Sequence, residues 1–269
     1  MSTASVLYER ANRYYNGDGV TRDYSAAIHL YMLAAEQGHA DAQFMVGRCH
    51  HFGIGVQRDY NIAVKYYRLA VDQGWAKAQN NLGQCYEHGL GVRRDYDEAL
   101  RLYRLSSEQG LSHGQVNVGH FYEEGYAVRA DASVAAKYYH LAAVQGNAIG
   151  QYDLARCYQY GNGVRKDEYQ AVHLYTLSAN QGYALAQNNL GLCYENGIGV
   201  RQNYAEAARL FKLAADQNNA LGQSNLARCY YLGLGMSKSR LEAIRLWELS
   251  AEQGLVAAQE ALLEVRGYI

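Results

Sequence analysis

The side chains of this chain that could do chemistry return at one interval. Asn81, Asn117, Asn189 and Asn225 stand in register with Met45 and Asp153, in steps of 36 residues. A carboxamide donates and accepts at once, so a ladder of them can hold the backbone of an extended peptide whatever its side chains. The same amides could instead bond within the fold and steady the neighbouring turn. Two adjacent columns keep the interval but change type: Phe44, Asn80, Val116, Tyr152, Asn188 and Ser224, then Arg48, Gln84, His120, Arg156, Leu192 and Arg228. Aromatic anchors beside arginine are frequent centres of binding energy. The residues expected to touch a protein or peptide partner are therefore Asn81, Asn117, Asp153, Asn189 and Asn225, together with Phe44 and Tyr152, and with Arg48, Gln84, His120, Arg156 and Arg228. A further column, Tyr15, His51, Glu87, Glu123, Gln159, Glu195 and Tyr231, adds glutamates that favour a basic or mixed-charge segment.

Catalytic chemistry has less to stand on. The 9 histidines are scattered, and His50-His51 has only adjacent Cys49 at metal-ligand spacing, so no metal, cofactor or catalytic group is expected. Loops such as Gly89-Leu90-Gly91-Val92 follow no strand and lack the further glycine or lysine-serine pair of a phosphate cradle. Cys49, Cys85, Cys157, Cys193 and Cys229 share one column with Phe121. Equivalent residues of stacked helices lie roughly 8–10 Å apart, beyond the Cα separation of about 7 Å that a disulfide spans. The column reads as a buried apolar slot with inert thiols.

These columns need a repeating support. Gln43, Gln79, Gln115, Gln151, Gln187, Gln223 and Gln259 mark a period of 36 without insertion or deletion, the signature of a solenoid. In the clearest copy, apolar residues at 78, 82, 85 and 86 predict a helix A over residues 76–88, ended by the glycine loop. Asp95 stands at the next N-cap with Glu98 three residues on, the pattern of a capping box. Helix B follows, with Ala99, Leu102, Tyr103, Leu105 and Ser106 on its packing side, and stops at Gly110. That closing glycine becomes Asn218 in one copy, the next-best residue for a left-handed backbone. Small residues at Gly47, Gly83, Gly119, Ala155, Gly191 and Ala227 predict close helix contact. The fourth copy is irregular, with Tyr126-Ala127 in place of the loop glycine pattern and Ala132 in place of a tyrosine, which suggests a bend or a contact point. At the ends, Arg10 and Arg13 occupy apolar columns and Leu263 replaces a small residue, as capping of a complete solenoid requires.

Composition narrows the partners. The 269 residues carry a net charge of −1 with 49% hydrophobic side chains. That balance gives no electrostatic reason for nucleic acid or an anionic membrane. No signal-peptide run opens the chain and no stretch is long enough for membrane insertion, so a cytoplasmic monomer is expected.

The recurring pattern A-x-A-Q-x-x-L-G-x-x-Y-x-x-G-x-G-V-x-x-D-x-x-x-A-x-x-x-Y-x-x-A-A-x-Q-G resembles the Sel1-like repeat, a relative of the tetratricopeptide repeat, from about Ala4 to Leu263. The resemblance implies an all-α, right-handed α/α superhelical solenoid of 36-residue helix-turn-helix repeats: one domain over 1–269, with seven units and a C-terminal capping helix. It also implies an adaptor that binds other proteins in a concave groove lined by helix A. Two alternatives are a small-molecule or hydrolytic use of the groove, and docking of an acidic partner on helix B. There the column His29, Lys65, Arg101, Lys137, His173, Arg209 and Arg245 is basic throughout, and Arg93, Arg94, Arg129, Arg165, Lys166 and Arg201 of the loops add to it.

Overall fold

The computed structural model describes residues 2–267 and contains fifteen α-helices, with no strand among the described residues. In order they are α1 (Thr3–Asn16), α2 (Tyr24–Glu36), α3 (Ala40–Phe52), α4 (Tyr60–Asp72), α5 (Ala76–His88), α6 (Tyr96–Glu108), α7 (Ser112–Glu124), α8 (Ala132–Val144), α9 (Ala148–Tyr160), α10 (Glu168–Asn180), α11 (Ala184–Asn196), α12 (Tyr204–Asp216), α13 (Ala220–Leu232), α14 (Arg240–Glu252) and α15 (Val256–Arg266). Odd helices are the A members of successive repeats and even ones the B members, so the fold is an all-α solenoid of 36-residue helix pairs. Packing divides the chain into two units, Met1–Asp131 and Ala132–Ile269.

Local chemistry sets each boundary. Helix α5 starts and stops where the periodicity predicts, and Gly89 takes a φ of 70° while its N–H donates to the Cys85 carbonyl. Asp95 accepts from the Glu98 N–H at 3.0 Å. The reciprocal half of the expected capping box does not form, because the Glu98 carboxylate turns outward to Arg101. Asn218 takes the left-handed φ of 60° that its column requires. In the irregular loop Ala127 adopts φ 56°, so the backbone keeps the form that glycine has elsewhere. Tyr126 there stacks on Tyr96 with ring centroids 4.8 Å apart.

In the first unit the core is built on Tyr31, Tyr67 and Tyr103 of the B helices, each fully buried. The small column of helix A admits these rings: a Cβ on Gly83 would sit 2.7 Å from Tyr103 Cε1, and one on Gly47 would sit 2.6 Å from Tyr67 Cδ1. In the second unit Tyr139, Tyr175, Phe211 and Trp247 fill the same layer, and Gly191 faces Phe211 as Gly83 faces Tyr103. One sequence expectation fails here. Leu105 belongs to a leucine column that stands half in solvent rather than on the packing side, with Leu69 39% and Leu141 46% exposed. Ridge geometry gives the core face of helix B to the columns of Ala99, Leu102 and Tyr103, which leaves this leucine at the edge.

The five cysteines are buried and form no disulfide among the described residues, and Phe121 is buried in the same slot. Burial pushes the thiols of Cys49, Cys193 and Cys229 up to about 11 and that of Cys85 to about 12. That is the inert packing role expected of the column.

The glutamines that mark the period bond across repeats. In the first unit Gln73 Nε2 donates to Gln43 Oε1 at 2.7 Å and Gln109 to Gln79 at 2.8 Å. The second unit repeats this three times, from Gln181 to Gln151, Gln217 to Gln187 and Gln253 to Gln223, at 2.7–2.8 Å. Gln43, Gln151 and Gln187 pass the bond on to the carbonyls of Ala35, Ala143 and Ala179. Each of these helix-end carbonyls also accepts from a backbone N–H, of Gly38, Gly146 or Gly182, so the glutamine adds a second bond at the helix end.

Candidate functional site

The expected partner contacts all lie on A helices and fall into two classes. The column of Arg48, Gln84 and His120 in the first unit, and of Arg156, Leu192 and Arg228 in the second, is half-exposed in every copy. In the first unit the Arg48 guanidinium lies 5.8 Å from the centre of the Tyr15 ring, and Phe44 packs beside Tyr67 with ring centroids 6.1 Å apart. In the second unit Arg156 lies 5.9 Å from the Tyr152 ring centre, and Tyr152 meets Tyr183 edge-on at 5.3 Å. Burial raises the hydroxyls of Tyr152 and Tyr183, the latter to about 12. In this column each unit thus holds an arginine over a tyrosine face, an arrangement that favours cation–π contact.

The asparagines behave differently. In the first unit Asn117 Nδ2 donates to Asn80 Oδ1 at 2.9 Å, Asn80 Nδ2 to Asn81 Oδ1 at 3.3 Å, and Asn81 Nδ2 to the Tyr67 hydroxyl at 3.3 Å. The second unit repeats the relay from Asn225 to Asn188, Asn188 to Asn189, and Asn189 to the hydroxyls of Tyr175 and Tyr152, over 2.8–3.5 Å. Of the two roles open to these amides from sequence, bonding within the fold is therefore realised. The column of Phe44 and Tyr152 is mixed as well: Asn80, Val116 and Asn188 are buried. Only Phe44, Tyr152 and Ser224 in it reach partial exposure.

Charge on this face is held in place by pairing. Asp153 is buried at 3% exposure, and Arg156 Nη1 lies 3.4 Å from its Oδ1. Arg228 Nη2 lies 2.5 Å from Glu195 Oε2, while its Nε has no partner among the described residues. The Tyr103 hydroxyl donates to Glu87 Oε2 at 2.5 Å, and both burial and that carboxylate push the phenol well above its usual range. Stacking also brings together groups that sequence spacing keeps apart: Cys85 Sγ is 3.9 Å from Nδ1 of half-buried His51, one repeat away. Burial lowers His51 and raises the thiol, so neither group is activated. Among the described residues, no cluster of three or more His, Cys, Asp or Glu could hold a metal ion, and no helix is long and apolar enough to cross a membrane.

The three arginines of the basic column on helix B are paired. Arg101, Arg209 and Arg245 pair with Glu98, Glu206 and Glu242 three residues earlier, at 2.6, 2.6 and 3.1 Å. Sequence reading missed these partners, although the glutamates stood at the helical spacing that predicts them.

Comparison with known proteins agrees with this architecture. The Sel1 repeat family matches seven times, over residues 4–39, 40–75, 76–111, 112–147, 148–183, 184–219 and 220–255. Among solved structures, a protective antigen with an SLR fold from uropathogenic Escherichia coli strains is 36% identical, with a TM-score of 0.76 over 99% of this chain. The match spans only 57% of that protein's length. A Sel1 repeat protein from Oxalobacter formigenes is 30% identical, with a TM-score of 0.81, over 91% of this chain and 96% of that one. An immunity protein from Pseudomonas aeruginosa shares the fold at 23% identity, with a TM-score of 0.55 over 81% of this chain and 82% of that one. No match was found among curated proteins. With seven tandem matches covering nearly all its length, the chain belongs to the Sel1 repeat family.

Proposed function

We propose that the chain is a protein-interaction scaffold that takes up an extended segment of a partner protein along the exposed face of its A helices. Sel1 repeat proteins generally serve as protein-interaction scaffolds. The observation that supports this reading best is the column of Arg48, Gln84 and His120 in one unit and of Arg156, Leu192 and Arg228 in the other. It is half-exposed in every copy and differs from copy to copy. The neighbouring asparagine and glutamine columns instead direct their hydrogen bonds inward. A fixed frame with a changing row on its surface is what recognition of one particular segment needs.

In this reading Phe44 and Tyr152 are aromatic anchors, and Arg48, Arg156 and Arg228 engage carboxylates or carbonyls. Gln84 and His120 read polar groups of the segment. Asn81, Asn117, Asn189 and Asn225 hold the surface and offer the partner backbone whatever hydrogen-bonding capacity their relays leave free. Asp153 fixes Arg156. Glu87 and Glu123 favour a segment of mixed charge.

The test is affinity capture from cells of the source organism with the wild type and with an Arg48→Ala, Gln84→Ala, Arg156→Ala variant of equal helicity. A control variant carries Arg93→Ala and Arg201→Ala in the loops. The reading expects one protein retained by wild type and control and lost from the A-helix variant. Loss from the loop variant alone would overturn it.

A further inference from the structure

Helix α8 lacks two bonds that several other B helices make. In α6, α12 and α14 the basic residue of the outer column pairs with a glutamate three residues earlier. At that place α8 has Val134, and Lys137 makes no ion pair or hydrogen bond among the described residues. In α4 and α6, Arg68 and Arg104 donate to the hydroxyls of Tyr86 and Tyr122, at 2.9 and 2.8 Å. The matching residue of α8 is His140, whose side chain is too short to repeat that bond. The Tyr158 hydroxyl, next in the tyrosine column, has no partner among the described residues.

What opens is a hollow of about 510 Å³ within the second unit, between α8, α9 and the loop after α9. Its floor is apolar, made by Ala136, Leu141, Leu154 and Val164, and Leu141 is 46% exposed. Lys137, His140 and Tyr158 stand around that floor. Past Tyr158 and Val164 the surface continues into a second hollow lined by Arg165, Lys166, Asp167 and Glu168. Lys166 pairs with Glu168 at 2.8 Å and Asp167 caps α10, so among the described residues Lys137 and Arg165 are the cations of the two hollows left without a partner.

An exposed apolar floor beside an unpaired ammonium and an unused phenol hydroxyl matches a ligand with a hydrocarbon part and one negative charge. The size lies in the range of small-molecule sites, roughly 300–1,000 Å³. The carboxylates of Asp167 and Glu168 leave only one positive charge in excess over the two hollows, which disfavours a dense polyanion. We propose that this hollow binds a small amphipathic monocarboxylate, its hydrocarbon chain over Leu141, Leu154 and Val164 and its carboxylate against Lys137 and the Tyr158 hydroxyl. Charge-assisted bonds to the carboxylate then replace those that α4, α6, α12 and α14 make internally at the matching places.

The test uses the full chain and calorimetric titration with octanoate, octan-1-ol and acetyl-leucyl-leucine. His140→Arg supplies the side chain that meets the tyrosine hydroxyl in α4 and α6, so it closes the hollow with a residue the fold already accepts. Val134→Glu supplies the missing partner of Lys137. Octanoate is expected to bind saturably, at least about tenfold more tightly than octan-1-ol, and to weaken by about tenfold or more in each variant with the melting temperature preserved. Absence of saturable octanoate binding, equal binding of octanol, or unchanged binding in both variants would overturn the proposal. Clear preference for acetyl-leucyl-leucine over octanoate would overturn it too, by assigning the hollow to a peptide terminus.

Discussion

Asn117 Nδ2 donates to Asn80 Oδ1 at 2.9 Å, and this bond ties one A helix of the first unit to the A helix before it. Asn80 is buried, so its carbonyl has no solvent to fall back on. Asn80→Leu leaves the Asn117 and Asn81 amides short of a partner. The expected cost is about 1–3 kcal/mol in chemical denaturation. Asn188→Leu should cost a similar amount, because Asn188 accepts from Asn225 in the same way at 2.8 Å. Stability unchanged within error in both variants would remove these relays from the account of the fold.

The glutamine relay makes a separable prediction. Gln79→Ala, Gln109→Ala and the double variant form a cycle around a bond of 2.8 Å. The coupling energy should fall at about 0.5–1.5 kcal/mol, and additivity would assign the invariance of these glutamines to another cause.

Gly83 lies under the Tyr103 ring with no space for a side chain. Gly83→Leu should cost about 1–3 kcal/mol by overpacking, read from the thermal midpoint. Gly74, where a Cβ would meet nothing within 4 Å, is left-handed at φ 79° and so tests backbone strain alone. Gly74→Asn should be tolerated much better than Gly83→Leu, as Asn218 already shows in its own copy.

The raised thiols give a pH dependence of definite sign. The folded state holds the Cys49, Cys85, Cys193 and Cys229 protons to about 11–12, whereas an unfolded thiol loses its proton near 8.5. Their contribution is therefore fully present below about pH 8.5 and is lost as pH rises toward 11–12. The melting temperature should fall as pH is raised from 8 to 10.5, and thiol-directed alkylation at pH 8 should track global unfolding. Rapid labelling of the native chain would contradict the buried column.

Much of this was legible in the sequence because a strict repeat reports each environment several times. The bounds of α5, the Asp95 cap and the positive φ at Asn218 all follow from local residue chemistry, and Phe121 among the cysteines betrayed an apolar slot. What the sequence hid depends on the next repeat in space. Asn80 and Asn188 read as part of a surface column, yet stacking buries them. His51 had no visible cysteine partner beyond Cys49 until stacking set Cys85 beside it. On helix B the pairing of Arg101 with Glu98 was legible at helical spacing, three residues apart. As exposed pairs, these bridges should contribute at most about 1 kcal/mol each.

The central claim is that partners bind the exposed face of the A helices. With the captured partner in hand, a photo-crosslinking amino acid placed at Gln84 or at Arg156 should join it covalently to the chain. The same group at Leu69 or Leu213, half-exposed on helix B, should not. Crosslinks at the leucine positions without any at Gln84 or Arg156 would move the interface to helix B and contradict the account.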